Sequence, residues 1–431
     1  MAIDPQKLRL EGIYPQRQGD FYMQRIKLPA GVISALQARR VAEIAGRYAR
    51  GTVHLTTRGS MELHWLTAET LPVVAREMAS VGLISRGACG GAVRGVVCGS
   101  LDLAVSTKLE GVVRLIHSHF SGNPRFESLP KKFKIAVEAD IASGRHLIQD
   151  LALVPVDLAA DELSFNVWVA GGLGRQPTPA FLLAGDIPLD RVIGMVEAVV
   201  RVYAAHTPAG KRLKHLVAEI GQEELRRLVL AEPSAGEALP TVASLSSSLV
   251  PTLSSPERRV EVGVFAGELA GSELAALAEI ADKWAGGILL VTGNQNIVLH
   301  LTPAAELDRV REELAYAGFT GTSRRERVLC RVCPGSHECL VGLGATREIA
   351  TELVEKLGPA GLKLTWAISG CPNSCAQPQL ADAGIIVSRL QPGEAKAPLF
   401  DLYRRSGDGF GERTAERLTL AELMQQVGEI G

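Results

Sequence analysis

Twice along this chain, a stretch of alternating apolar and polar residues gives way to apolar residues recurring every three or four positions. These are the periods of a strand and of an amphipathic helix. Near the start, FYMQRIKLPAG reads as a strand, VISALQARRVAEIAGRYA as a helix, TVHLTTRGSMELHWL as a second and longer strand, and TAETLPVVAREMASVG as a second helix. From Val260 the order returns as strand VEVGVFAGELA, helix GSELAALAEIADKWA, strand GILLVTGNQNIVLHL and helix PAAELDRVREELAYAG. TTRGSMELHW falls in register with VTGNQNIVLH. Two β-α-β-α units predict an internally duplicated α+β chain, two ferredoxin-like halves packed about a pseudo-twofold.

A different, larger segment follows each half. After the first, KFKIAVEA and LSFNVWVAGG are strand-like and LDRVIGMVEAVVRVYAAH is helical; after the second come clustered cysteines. Between the two, EPSAGEALPTVASLSSSLVPTLSSPERR is rich in Ser, Pro and Ala and reads as a linker. The expected organisation is 1–88 as the first ferredoxin-like half, 89–231 as a larger α/β domain, 232–258 as the linker, 259–322 as the second half, and 323–431 as the second larger α/β domain. Several domains are expected anyway, because 431 residues exceed the ~250 at which a single core stops growing.

Charge narrows the partners. Lys plus Arg (46) and Asp plus Glu (47) nearly cancel, which speaks against nucleic acid or an acidic membrane surface. Anion recognition, if present, is local. MAIDPQKLRLEG has charges where a signal peptide has its apolar core, and nowhere do ~18 uncharged apolar residues run together, so a cytoplasmic chain with no membrane span is expected. Five of the seven cysteines, Cys330, Cys333, Cys339, Cys371 and Cys375, crowd into one region, as metal-binding or redox cysteines do in a large intracellular chain.

Their spacing is CPGSHEC and then CPNSC. Zinc sites favour two short knuckles, and C-x5-C is wider than that. A cubane tolerates irregular spacing, because each thiolate meets a different iron. The pattern leans towards [4Fe-4S], with Cys330 a rival ligand because it forms CxxC with Cys333. CPNSC follows the strand-like LKLTWAISG, and its Pro372 and Asn373 suit a tight turn.

C-x5-C followed by C-x3-C, at Cys333, Cys339, Cys371 and Cys375, resembles the signature of the sirohaem sulfite and nitrite reductase family, itself a duplicated ferredoxin-like half with a larger domain. The resemblance implies that these thiolates hold a [4Fe-4S] cluster and that Cys375 also bridges to the sirohaem iron. It implies four cations for the anionic substrate: Arg58 in TTR, Arg94 in CGGAVRGVVCG, and Lys132 and Lys134 in LPKKFK. On a strand, period two puts Lys132 and Lys134 on one face, with Phe133, Ile135 and Val137 on the other. GNQN, with Asn294, Gln295 and Asn296, resembles a segment lying against sirohaem; VAGGLGRQP resembles the family's glycine-rich segment near the cofactor, with Arg175 a candidate for a sirohaem carboxylate, and Asn373 is expected as a further cofactor contact. Residues 89–231 would then bind the anion and sirohaem, and 323–431 the cluster and sirohaem.

Sulfite is the first expectation, because the family's ferredoxin-dependent nitrite reductases tend to carry Asn at the position of Lys134. The alternatives are nitrite reduction, the cobalamin-pathway oxygenase relative, a non-catalytic electron-transfer subunit, and a zinc scaffold. No GxGxxG follows a strand and opens a helix, so a separate ferredoxin, iron-sulfur or flavin partner would deliver electrons.

Overall fold

The computed structural model describes residues 5–99, 106–238, 258–393 and 396–430. It divides into two compact units. The first comprises Met1–Tyr14, Arg25–Val32 and Ser85–Thr252; the second comprises Pro15–Gln24, Ile33–Ile84 and Leu253–Gly431. Most of the expected linker, 239–257, lies outside the described residues.

The first unit is built on one five-stranded sheet. Val97–Cys98, Ile135–Val137 and Leu151–Pro155 run parallel, and Ser164–Val169 and Phe181–Pro188 extend the sheet antiparallel. The middle strands are apolar at nearly every position because both faces are covered. Helices Ser106–Phe120 and Val192–His206 supply much of the covering layer, with Val112, Ile116, Val196 and Tyr203 in the same core as Ile135 and Val167.

The second unit contains a sheet of the same order. Leu329–Val332, Thr365–Ser369 and Ala383–Leu390 are parallel, followed by antiparallel Pro398–Arg404 and Glu412–Leu418. Helix Thr346–Lys356 joins its first two strands, as Ser106–Phe120 does in the first unit. The duplication thus extends into the larger segments.

In the smaller halves the pattern needs correction at two places. TVHLTTRGSMELHWL is not one strand but two, Thr52–Leu55 and Met61–Leu66, paired antiparallel. Its counterpart splits into Ile288–Val291 and Ile297–His300. A threonine hydroxyl turns the chain in each case. Thr56 Oγ accepts from the N–H groups of Arg58 (3.3 Å) and Ser60 (3.2 Å), and Thr292 Oγ accepts from Asn294 and Asn296 (both 3.2 Å). Side-chain capping of this kind competes with the strand ladder. The true register therefore matches Thr56 with Thr292, one residue away from the sequence alignment.

The second correction concerns how the halves join. VEVGVFAGELA breaks at Ala266 (φ 55°) and Gly267 (φ 69°) into Arg259–Val262 and Glu268–Ala270. Glu268–Ala270 leaves its own half and pairs with Thr52–Leu55 of the other. Reciprocally, Val32–Ser34 adds to the second half's sheet beside Ile288–Val291. Helices Ala35–Tyr48 and Gly271–Trp284 pack together. The first N–H of each reaches a glycine carbonyl of the opposite half, Ala35 to Gly287 and Gly271 to Gly51, both at 2.8 Å. Neither half has a complete sheet of its own.

At the left-handed turn position the first half has Gly59 (φ 57°) and the second has Gln295 (φ 64°). A non-glycine residue costs ~1–2 kcal/mol there. Gln295 offsets this with its buried amide: Nε2 donates to Leu55 O (2.6 Å) and Val332 O (2.9 Å), and Oε1 accepts from Val332 N (2.6 Å). Gln295→Leu leaves these main-chain groups unsatisfied and is expected to lower unfolding stability by about 2–4 kcal/mol, measured by urea denaturation. A change within ~0.5 kcal/mol would show the amide to be dispensable.

Candidate functional site

The four signature cysteines belong to the second unit and leave the C-terminal ends of two adjacent parallel strands. Cys333 directly follows Leu329–Val332, and Cys371 lies two residues beyond Thr365–Ser369. Loops at this end of a parallel sheet are where open α/β folds bind ligands. The Gly370 N–H donates to Cys333 Sγ at 3.2 Å. The loops are closely packed: a Cβ on Gly370 would lie 2.8 Å from Gly335 Cα, and one on Gly335 would lie 2.6 Å from Gly344 O. Thr346 Oγ, donating to Cys333 O at 2.6 Å, closes the base.

Strand alternation separates the rival ligands. Cys330 lies with Val332, Leu353 and Trp366 in the apolar core, and burial pushes its thiol up to about 12. Cys333 instead packs against Ala367, Ala376 and Ala381. Burial also pushes the Cys333 thiol up, as do the neighbouring Cys375 and Cys371 thiols; Cys339 is raised by burial and by Cys375. Clustered thiols that oppose one another's ionisation suit a cationic iron-sulfur group, whose charge reverses that balance. Among the described residues no three His, Cys, Asp or Glu side chains stand together as for one metal ion. A cubane asks for something else, one thiolate at each separate iron.

CPNSC forms the expected turn, with Asn373 and Cys375 exposed and Cys371 buried. Both duplicated hairpin turns grip it. From the first, Thr57 Oγ donates to Cys375 O (2.8 Å) and Thr57 O accepts from Gln377 Nε2 (3.1 Å). From the second, Asn294 Oδ1 accepts from Arg331 Nη1 (3.4 Å), while Arg331 donates to Ala376 O and Gln377 O, each at 3.2 Å. Asn296 is engaged with Val264 N (3.0 Å) and Glu261 (2.8 Å). Arg58 is half-buried on the first turn.

Behind the C-x5-C loop, Arg347 bonds both Glu338 oxygens (2.8 and 3.0 Å) and Glu268 (2.8 Å), and His54 Nδ1 lies 2.6 Å from the same Glu268 oxygen. Burial alone would raise the Glu268 carboxyl, but His54 and Arg347 outweigh it and hold the group at about 2. On the outside, Arg17 donates to Cys339 O at 3.3 Å and to Gly342 O.

The first unit carries Arg94, Lys132, Lys134 and Arg175. The regular strand begins only at Ile135, correcting the longer KFKIAVEA strand; Phe133 makes a single parallel bridge to Val93. Alternation nevertheless holds. Phe133 and Val93 point into the core, and Arg94, Lys132 and Lys134 occupy the opposite side of this two-chain edge. Burial lowers the Arg94 pKa, with the neighbouring Cys89 opposing and Arg25 assisting. Arg94 Nη2 donates to Gly90 O (3.2 Å), whereas Nη1 is buried without a partner among the described residues. An orphaned guanidinium N–H fits an anionic ligand.

Sequence spacing missed the residues that position this edge. Asp150 Oδ2 accepts the Lys134 N–H (2.8 Å), and Asp150 Oδ1 accepts from Arg212 Nε (3.0 Å). Arg212 also donates to Gly171 O (3.1 Å), and Lys214 donates to Gly172 O (3.3 Å), Leu173 O (3.2 Å) and Gln176 O. The VAGGLGRQP loop is thus held by two buried cations, while Arg175 at its tip is exposed. Lys27 is another buried cation, lowered to about 8 by burial and then by Arg94.

Two family models match the chain. The nitrite/sulfite reductase ferredoxin-like half domain covers 14–81 and again 256–317, and the nitrite and sulphite reductase 4Fe-4S domain covers 92–237, which includes Arg94, Lys132, Lys134 and Arg175. The signature cysteines lie beyond these ranges, on the sheet of matching order. The chain is 28% identical to a "Sulfite reductase [ferredoxin] 1" of Mycolicibacterium paratuberculosis over 95% of its length and 80% of the relative's. It is also 28% identical to a "Ferredoxin--nitrite reductase" of Synechococcus elongatus, over 96% of its length and 87% of the relative's. Among solved structures, the NirA protein of Mycobacterium tuberculosis superposes with a TM-score of 0.83 at 26% identity, over 99% of this chain and 87% of that one. The chain belongs to the nitrite and sulfite reductase family, whose enzymes carry sirohaem and a [4Fe-4S] cluster.

Cys330→Ala is expected to retain iron and acid-labile sulfide at the parent's level, and Cys371→Ala to lose them, by direct metal and sulfide analysis. Equal loss in both would make Cys330 a ligand after all. Separately, the depressed Glu268 carboxyl contributes stability that is present above its ordinary pKa of 4.5 and lost as pH falls towards about 2. Acid denaturation curves of Glu268→Gln should therefore be flatter than the parent's in that window, and identical slopes would remove Glu268 from the account.

Proposed function

We propose that this enzyme reduces sulfite to sulfide by six electrons. The observation that carries the reading is the edge formed by Val93 and Phe133, which sets Arg94, Lys132 and Lys134 on one side and leaves a buried Arg94 N–H for an anion. Lys134 stands where the resemblance expects Asn in many nitrite reductases. Nitrite remains the second reading, supported by a nitrite reductase relative at the same 28% identity.

The family's cofactors supply the electron path and the iron that binds the anion. The chain supplies charge and protons. Arg58, Arg94, Lys132 and Lys134 are the cations assigned to the substrate. Each oxygen of sulfite leaves as water and consumes two protons, so the cations would neutralise the oxygens, and an ammonium that gave up a proton would be re-protonated from solvent before the next. Cys333, Cys339, Cys371 and Cys375 hold the cluster in this reading, and Asn294, Gln295, Asn296, Asn373 and Arg175 are assigned to the sirohaem side. Gln295 would act there through its backbone turn, since its amide is committed to Leu55 and Val332.

Electrons would come from a separate donor protein, such as a ferredoxin. Among the described residues no helix is long and apolar enough to cross a membrane, which accords with a cytoplasmic enzyme.

Anaerobically purified protein is expected to show sirohaem Soret and red absorption and to oxidise reduced viologen with sulfite. Lys134→Asn should lower kcat/KM for sulfite by about 10- to 100-fold, the loss of a charge-assisted contact worth ~1.4–2.7 kcal/mol. A greater kcat/KM for nitrite in the parent, unmoved by Lys134→Asn, would transfer the assignment to nitrite. The spectrum without turnover of either anion would favour an electron-transfer subunit.

A further inference from the structure

Arg331 has no part in the spacing motif, lying between the core-facing Cys330 and Val332 on the Leu329–Val332 strand. Alternation sends its side chain to the opposite face, towards the cysteine loops. It is only 4% exposed. Its guanidinium spreads over three acceptors: Nε to Ala376 O and Nη2 to Gln377 O, both 3.2 Å, and Nη1 to Asn294 Oδ1, 3.4 Å. The first two are the carbonyls immediately after Cys375.

The loop these bonds hold is strained. Ser374 (φ 55°) and Gln377 (φ 60°), on either side of Cys375, are both left-handed without being glycine. Such residues persist only where surrounding contacts over-determine them. The Ser369 hydroxyl accepts Ala376 N (3.0 Å), Gln379 Nε2 reaches Ser374 Oγ (3.1 Å), and Thr57 binds the Cys375 carbonyl (2.8 Å). Arg331 is the charged member of this set, and an arginine keeps its charge at any ordinary pH. A fixed cation beside a thiolate-bound cluster stabilises the form with the extra electron.

We infer that Arg331 is a positioning residue that locks the strained turn with Cys375 outward and places a permanent buried charge beside the group Cys375 holds. The inference rests on the cofactor reading above. Arg331 touches neither substrate nor reacting atoms in this role; it acts through the turn's carbonyls and through its field.

Two variants separate the lock from the charge. Arg331→Lys keeps the charge but loses the planar fork, and Arg331→Met loses both. Hydrogen exchange read by mass spectrometry on the full chain as purified with its cofactors should show amides of 374–379 losing protection about 10-fold or more in both variants, the opening of a local structural unit. Protection elsewhere in the second unit should be unchanged. In protein loaded with iron and sulfide, potentiometric titration of the cluster's reduced-state paramagnetic signal should give a lower midpoint in Arg331→Met than in the parent, with Arg331→Lys recovering most of the shift.

Unchanged exchange in 374–379 together with an unchanged midpoint in Arg331→Met would overturn the inference. Should Arg331→Met fail to fold, Arg331→Lys decides by exchange alone: faster exchange confined to 374–379 supports the lock, and parent-like exchange overturns it. Parent protein that binds no cluster under reconstitution would instead sink the cofactor reading, an outcome visible before any variant is made.

Discussion

A turn with two left-handed non-glycine residues does not hold its own shape. The Cys371–Gln377 turn departs from a buried strand, reverses sharply, and leaves Cys375 exposed between Ser374 and Gln377 at positive φ. With ~1–2 kcal/mol of strain at each such position, a free peptide of this sequence would relax. The turn survives because its carbonyls and amides are bound from outside by Thr57, Arg331 and Ser369. Much else in the second unit reads as support for those contacts. The strand exchange locks the two halves together, the halves present the two hairpin turns, and the turns hold the cysteine loop.

Duplication supplied two copies of one backbone, which the chain then used differently. Thr56 and Thr292 make the same turn, and Gly51 and Gly287 receive equivalent helix termini. At the left-handed position the copies diverge: Gly59 carries no side chain, whereas the Gln295 amide reaches across to both Leu55 and Val332. The single asymmetric residue thus ties one hairpin, the other hairpin's strand and the Cys333-bearing strand into one network. The larger sheets diverge in a different way. Both run three parallel strands and two antiparallel ones, but the cysteines sit past the C-terminal ends of the parallel strands in one. In the other, Arg94, Lys132 and Lys134 precede the N-terminal ends.

Periodicity made the repeat legible, and cysteine spacing together with the resemblance made the family legible. What remained hidden has physical reasons. Val32–Ser34 and Glu268–Ala270 are three-residue strands, too short for a period to register, so the strand exchange left no trace in the pattern. The hairpin turns were absorbed into long strands because Thr is a good strand residue until its hydroxyl caps the chain; Arg58–Gly59 and Gly293–Asn294 were the available turn signals. Cys330 and Cys333 looked equivalent by spacing, and only the strand's alternation sends one to the core and the other to the loop. Arg331, Arg212 and Lys214 bind main-chain carbonyls, which every residue possesses. No partner motif could have announced them.

Positioning through the main chain also explains how the segment carrying Lys134 is held firm. Asp150 fixes Lys134 by accepting its backbone N–H at 2.8 Å, a bond that itself uses none of the ammonium's three donors. The same carboxylate is paired with Arg212, whose other bond fixes Gly171 of the glycine-rich loop. A buried carboxylate with both oxygens engaged is costly to remove and costly to move. It therefore ties the segment leading into Ile135–Val137 to the glycine-rich loop. In the second unit Arg331 plays the converse part, a buried cation fixing carbonyls next to Cys375. At Lys134 and beside Cys375 the backbone is what these bonds hold, and the buried charges of Asp150 and Arg331 are satisfied by the same bonds.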